Sequence, residues 1–89
     1  MIKHFLLFAL LICGSAHAMD TYRFDSRIVE VGDSVAKLIE VAGSPVYKEP
    51  IETDQGGAKG ERWQYQVDRN TVTFVIRDGK IHSIEQKRD

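Results

Sequence analysis

The chain of 89 residues has one cysteine, two prolines and almost no net charge, and each scarcity excludes a class of protein. One cysteine cannot form an internal disulfide framework or a cysteine-rich zinc site. Two prolines and seven glycines are too few for a low-complexity linker. The 12 basic and 13 acidic residues give a net charge of −1, without the basic excess of nucleic-acid-binding proteins. The hydrophobic content of 43% argues against a disordered tail. The length of 89 residues allows at most one domain.

Long hydrophobic runs are also missing, except for one near the start of the chain. Residues 5–13 form an unbroken apolar run of nine residues, which follows Lys3. Nine residues are too few to cross a bilayer of about 30 Å, which needs about 20. A positive residue followed by a short apolar run is typical of an export signal.

Small residues after this run complete the pattern of a cleavable signal peptide. Ala16 and Ala18 occupy the −3 and −1 positions that signal peptidase recognises. We therefore expect residues 1–18 to be a leader and residues 19–89 to be a single small domain, periplasmic or secreted, without stable membrane insertion. Cys13 leaves one alternative, a lipid anchor of the lipoprotein type, although the bulky residue before it fits that signal poorly.

The mature chain contains no cysteine, so no disulfide can stabilise it in an oxidising compartment. Its stability must come from packing, from a partner or from dimerisation. The polar residues 19–27 are predicted to be a flexible arm, and residues 86–89 a polar tail. Residues 28–31 are a β-branched run that we interpret as an extended segment.

A short amphipathic helix is predicted at residues 34–42. Either Asp33 or Ser34 caps its start by accepting hydrogen bonds from the free N–H groups of the first turn. Gly43 and Pro45 end it. A helix this short is unstable alone, so its apolar face must pack on something. The face is formed by Val35, Leu38, Ile39 and Ala42.

The rest of the chain predicts a sheet. Alternating or β-branched residues indicate strands at 46–49, 63–67, 71–76 and 81–85. A loop is expected at 54–60. The order of elements predicts an α+β fold, a two-layer sandwich in which one short helix packs on a three- to four-stranded antiparallel meander.

The hairpin at Asp78-Gly79 leaves the register of the last strand open. A two-residue turn pairs Ile76 with Ile81 and sends Ile84 to the other face. A three-residue turn with a glycine bulge pairs Val72 with Ile84 instead. We favour the bulged form, since it places the glycine where a left-handed residue is needed.

The order and spacing of these pieces resemble an uncharacterised family of small proteins exported by Gram-negative bacteria. The resemblance covers residues 23–85 and rests on Arg27-Ile28-Val29-x-x-Gly32-Asp33-Ser34, Gly43-x-Pro45, Glu61-x-Trp63-x-Tyr65, Val72-Thr73-Phe74, Asp78-Gly79 and Ile84. That family is similar to the SmpA/OmlA-type domain, the fold of the outer-membrane assembly component BamE. The resemblance implies a BamE-like helix on a sheet and a non-enzymatic envelope protein, without implying membership of the assembly machine.

One departure concerns two cysteines that the family typically has. Here Phe24 and Ala42 stand at the matching positions. If those cysteines pair in relatives, their joint loss is expected, because a lone thiol would be a liability. We hypothesise that Phe24 packs near Ala42 and replaces the covalent tie with an apolar contact.

No group of residues with the spacing of an active site or a metal site stands out. We therefore expect no catalytic, cofactor-binding or metal-ligating residues. His82 is the only histidine of the mature chain, and one histidine is a poor metal site. The glycines of residues 56–60 lack the Gly-Lys-Ser/Thr order of a phosphate loop. Trp63 and Tyr65 alternate, which favours a place in the core; left uncovered, they would form a binding patch.

These observations predict a non-enzymatic periplasmic interaction or structural module. Its partner is an unknown envelope protein and not nucleic acid, and its oligomeric state is open. The expected contact residues lie on the exposed loop and the strand after it: Gly56, Gly57, Lys59 and Arg62. The alternative is a secreted inhibitor of an envelope or extracellular enzyme, which would present that loop to an active site.

Overall fold

The computed structural model describes residues 16–52 and 58–89. Two sheets and one helix make up this part of the chain. The elements are β1 (His17–Met19), β2 (Thr21–Phe24), β3 (Arg27–Glu30), α1 (Val35–Ala42), β4 (Tyr47–Glu52), β5 (Ala58–Val67), β6 (Asn70–Arg77) and β7 (Lys80–Arg88). An antiparallel five-stranded sheet has the order β1-β7-β6-β5-β4, and β2 pairs with β3. Within the described ranges no helix is long and apolar enough to cross a membrane.

The expected α+β sandwich with a BamE-like layout is wrong. Of the described residues 65% lie in strands and only 12% in the helix, around a five-stranded sheet. The segment 19–27, expected to be a flexible arm, contributes the end of β1, all of β2 and the start of β3. The alternation of Tyr22 and Phe24 is too short to predict a strand, and only pairing with β3 makes it one.

The core lies on one face of the five-stranded sheet. It is lined by alternate side chains of β5, β6 and β7, with contributions from the hairpin and the helix. Its buried residues are Val29, Leu38, Trp63, Tyr65, Val72, Phe74, Ile76, Ile81 and Ile84. Both α1 and the β2–β3 hairpin therefore supply buried side chains to the layer that faces the sheet.

Phe24 is half-buried and packs against the core. Its ring packs edge-on against Tyr65 at 5.7 Å and stacks on Phe74 at 6.0 Å between centroids. Ala42 packs against the same cluster. The Tyr65 hydroxyl donates a hydrogen bond of 2.8 Å to the carbonyl of Gly43, next to Ala42. Tyr65 thus links Phe24 to the end of the helix, while a direct contact between Phe24 and Ala42 stays a prediction.

The helix forms where it was expected, but its buried face is different. Ser34 is the N-cap, and its hydroxyl accepts a hydrogen bond of 3.1 Å from the Lys37 N–H. Leu38 is fully buried, whereas the side chain of Ile39 is 46% exposed. Val41 packs against the core instead of Ile39. The hairpin lies beside the helix, so the contact surface is rotated from the one that the spacing alone indicates.

The structure resolves the register of the last hairpin in favour of the two-residue turn, so the bulged form that we favoured is wrong. The expectation that this turn sends Ile84 to the other face is also wrong. Arg77 pairs with Lys80 across a two-residue turn, and Ile76 pairs with Ile81. His82 then has no partner, because the register shifts between the pairs Ile76–Ile81 and Val75–Ser83. Because His82 is an extra residue in the strand, the residues after it change faces. Ile81 and Ile84, three residues apart, therefore both face the core.

The last strand is longer than predicted. Residues 86–88 belong to β7, where Arg88 pairs with Asn70, so the expected polar tail is largely part of the sheet. The N–H of Asp89 also donates to the carbonyl of Arg69 at 2.8 Å. Pairing with β6 satisfies the backbone here, and this tertiary contact orders residues whose polarity alone predicts a tail.

Candidate functional site: the outer sheet face

The face of the sheet opposite the core is polar and forms an open groove of about 420 Å³. Its residues alternate along β5, β6 and β7 with the buried ones. We call this surface the outer sheet face and define it by Arg62, Gln64, Thr71, Thr73, Glu85 and Lys87. Ala16 and Asp89 lie at its margin.

Arg62 is the expected contact residue that the structure places on this face. Its Nη1 lies 2.6 Å from Oε1 of Glu49 on the neighbouring strand β4. Both side chains are more than a third exposed, so this ion pair contributes at most about 1 kcal/mol to stability. Its consequence is positional, because it ties the Arg62 guanidinium, which lines the groove, to the neighbouring strand.

The end of the chain closes one side of the outer sheet face. The Thr71 hydroxyl donates to the Asp89 carboxylate at 2.8 Å, and the Gln66 amide donates to the same group. These hydrogen bonds favour the ionised form and hold the pKa of Asp89 below its usual value. A fixed carboxylate therefore lies at the margin of the groove that Arg62 and Lys87 also line, and the charge of Lys87 favours its ionised form as well.

The outer sheet face presents hydroxyl, amide, carboxylate and cationic groups, and it contains no aromatic side chain among its defining residues. Such a surface hydrogen-bonds a polar partner rather than enclosing an apolar ligand. In the described segments no group of three or more His, Cys, Asp or Glu side chains is placed to hold a metal ion.

The aromatic pair Trp63 and Tyr65 faces the core, as expected. The Trp63 indole N–H donates to Glu61 at 2.9 Å, and the ammonium group of Lys48 lies 4.7 Å from its ring centroid. Burial raises the pKa of Tyr65 to about 12. Phe74 is fully buried and packs edge-on against Tyr65 at 5.5 Å. These residues build the fold and leave no aromatic binding patch from this pair.

The glycine-led motif joins the start of the helix to the last hairpin. The Gly32 N–H donates to the Ile81 carbonyl, and the Ile81 N–H donates to the Asp33 carbonyl, both at 2.8 Å. The Val35 N–H donates to the Gly79 carbonyl at the same distance. Gly32 and Gly79 have φ values of +98° and +74°, where side chains with a Cβ are strained. The role of these residues is therefore structural.

Asp33 and the residues after the helix are also structural. The Asp33 carboxylate accepts a hydrogen bond of 2.8 Å from the Glu30 N–H and lies 3.3 Å from the Lys37 ammonium group. The Gly43 N–H ends the helix by donating to the Ile39 carbonyl at 2.8 Å. Pro45 is half-buried in the segment that leads into β4.

The expected contact loop is only partly described. Gly56 and Gly57 lie outside the described residues, and so does Cys13 with most of the expected leader. Lys59 is exposed on β5. Arg62 lies near Thr73 and Glu85 on the outer sheet face. Sequence reasoning missed these neighbours, although the alternating polar residues of β6 and β7 were the available signal.

His82 lies outside the groove of the outer sheet face. It is the unpaired residue of the β7 bulge, it is exposed, and its Nε2 lies 3.5 Å from Nη1 of Arg77. The sequence predicts a sheet-surface residue here, and the exposed position on β7 agrees with that expectation.

The expected cleavage site lies beside the outer sheet face. Ala16 is exposed at the margin of the groove, and Ala18 lies in β1, where it pairs with Glu85 of β7. The expected leader thus ends inside a strand of the sheet. Comparison of the chain with models of known protein families, with curated proteins and with solved structures finds no match in any of the three.

Proposed function

We propose that this protein is a non-enzymatic component of the cell envelope that binds another protein through its outer sheet face. The observation that carries the proposal is the open, polar groove of about 420 Å³ on the side of the sheet away from the core. Positive and negative groups both line this groove, and one of them, Arg62, is held by an ion pair with Glu49. A surface of this kind favours specific recognition of a polar protein surface through complementary charge.

The sequence supports the envelope as the location. Lys3, the apolar run of residues 5–13 and the pair Ala16 and Ala18 follow one another in the order of an export signal. The near balance of charge, −1 for the whole chain, does not favour nucleic acid as the partner. A partner protein in the periplasm or outside the cell is therefore consistent with both the expected location and the polar surface.

Site-specific photo-crosslinking in the native envelope tests this proposal. A crosslinker at Thr73, in the middle of the outer sheet face, should capture one defined protein. The control places the crosslinker at Ala36, which is exposed on the helix. Capture at Thr73 that is lost in Arg62→Glu, with no capture at Ala36, supports the proposal. Equal capture at both positions contradicts it.

The identity of the captured protein separates the proposal from the alternative function. An envelope assembly or structural protein supports a structural module. A single soluble hydrolase, inhibited by the purified chain, supports a secreted inhibitor instead. Turnover of any substrate that disappears in His82→Ala would overturn the non-enzymatic assignment.

A further inference from the structure

Two of the three residues of β1, the strand that covers the edge of β7, belong to the expected leader. β1 pairs His17 with Gln86, Ala18 with Glu85 and Met19 with Ile84. Cleavage after Ala18 removes the first two of these partners and leaves Met19 opposite Ile84. Asp20 stays in place, since its carbonyl accepts a hydrogen bond of 2.9 Å from the Val31 N–H.

The processed chain therefore has an open strand edge at residues 85–88. β1 covers only Ile84 to Gln86 in the intact chain, and cleavage uncovers the strand edge at Glu85 and Gln86 as well. Unpaired N–H and C=O groups on a strand edge are a template for pairing with another strand. The edge already accepts an antiparallel strand, because β1 occupies it in this structure.

The charges along this edge decide which registers a second copy of the chain can use. In a symmetric antiparallel pair about an axis normal to the sheet, residues on the same face lie opposite each other. An axis at Glu85 places two carboxylates together, and an axis at Lys87 places two ammonium groups together, which is unfavourable. An axis at Gln86 places Glu85 of each copy opposite Lys87 of the other.

We infer that removal of the leader opens the β7 edge to a second copy of this chain, which pairs with it in antiparallel register about Gln86. Two ion pairs between Glu85 and Lys87 then form on the outer sheet face, and the two Gln86 amides meet on the other face. The strands β4 to β7 of both copies form one continuous eight-stranded sheet. The inference rests on the leader removal of the proposed function, and it joins the two outer sheet faces into one surface.

The first measurement uses the protein recovered after export. Intact mass identifies its first residue, and sedimentation velocity over a range of concentrations gives its oligomeric state. A chain that begins at Met19 and forms a concentration-dependent dimer supports the inference. A chain that begins at Met19 and stays monomeric overturns the inference but leaves the proposed envelope function standing. A chain that begins at Met1 overturns leader removal and the inference together.

Charge reversal then tests the register. Glu85→Lys and Lys87→Glu each place like charges opposite each other, and each should weaken the dimer at least about fivefold. An equal mixture of the two variants restores both ion pairs and should form heterodimers with nearly the original dissociation constant. The double variant should also regain dimerisation. If neither single charge reversal changes the dissociation constant of the dimer, the register about Gln86 is wrong.

A matched control variant reports on net charge and on the other edge of the sheet. Glu52→Lys makes the same charge change on β4 at the opposite edge, and it should leave the dissociation constant unchanged. A loss of dimerisation in Glu52→Lys equal to that in Glu85→Lys would overturn the assignment to β7. Circular dichroism of every variant checks that the chain is folded.

Discussion

Tyr65 carries a single hydrogen bond that ties the sheet to the end of the helix, and its removal has two separable consequences. The hydroxyl donates to the Gly43 carbonyl at 2.8 Å, while the ring packs against Phe24 and Phe74. Tyr65→Phe keeps the ring and deletes only the hydroxyl. A net contribution of about 1 kcal/mol per hydrogen bond predicts that loss in the free energy of unfolding at neutral pH. The melting temperature should fall by about 4–8 °C for a domain of this size.

The second consequence appears at alkaline pH. Burial raises the pKa of Tyr65 in the folded chain to about 12, above its ordinary value near 10. The unfolded chain therefore loses this proton first, between pH 10 and 12, and the free energy of unfolding falls over that range. Below pH 10 this effect is absent. The fall attributable to Tyr65 is at most on the order of 2–3 kcal/mol, since one pKa unit corresponds to about 1.4 kcal/mol.

The two effects together predict that the stability curves of the wild type and Tyr65→Phe converge above pH 10, and that they cross once the alkaline loss exceeds about 1 kcal/mol. Urea denaturation from pH 7 to 12 measures both, with tyrosinate absorbance as the titration signal. Tyr22 also has a pKa raised by burial and by Asp68, so only the difference between the two proteins isolates Tyr65. Tyr47→Phe is the matched control, because Tyr47 is 52% exposed, and its stability should change by less than about 0.5 kcal/mol. Parallel curves across the alkaline range would refute the reasoning.

Three further substitutions test the packing and the turns. Leu38→Ala should lower the free energy of unfolding, measured in urea, by about 2–5 kcal/mol, because Leu38 is fully buried. Ile39→Ala should change it by less than about 0.5 kcal/mol. Equal losses in the two variants would show that the buried face of the helix is misplaced. Ser34→Ala should cost about 1 kcal/mol in thermal unfolding through loss of the helix cap, and Ser34→Gly only a few tenths; no loss with alanine would contradict the capping role. Gly60→Ala should destabilise the chain by about 1–3 kcal/mol in urea, since the new Cβ would lie 2.3 Å from the Ile76 carbonyl oxygen, and an unchanged midpoint would contradict that close approach.

Local patterns predicted the helix and the presence of the three long strands, but each strand is longer than predicted and β5 begins inside the expected loop. The cap and the glycine that ends the helix lie within one residue of the expected positions. The alternation of Trp63 and Tyr65 predicted their burial, because every second residue of a strand faces the same side. The polar alternation of Thr71 and Thr73 was equally readable, but it does not show which residues of other strands lie beside them.

The fold class failed because it depends on pairing between distant segments. Thr21–Phe24 and Arg27–Glu30 are four residues each, too short for their periodicity to be read. They are strands because they pair with each other, and Val29 and Phe24 are covered because the sheet lies beneath them. The neighbours of Arg62 on the outer sheet face were missed for the same reason, because they come from β6 and β7 and are distant from Arg62 in sequence.

The sequence by itself determined that one cysteine cannot form an internal disulfide, and it determined the helix with its cap and the alternating core of β5 to β7. Each of these follows from composition or from the geometry of neighbouring residues. Only the tertiary structure decided the hairpin layer, the His82 bulge that keeps both Ile81 and Ile84 in the core, and the pairing of Ala18 with Glu85. The physical reason is that a strand satisfies its backbone hydrogen bonds with a distant partner, which no local pattern specifies.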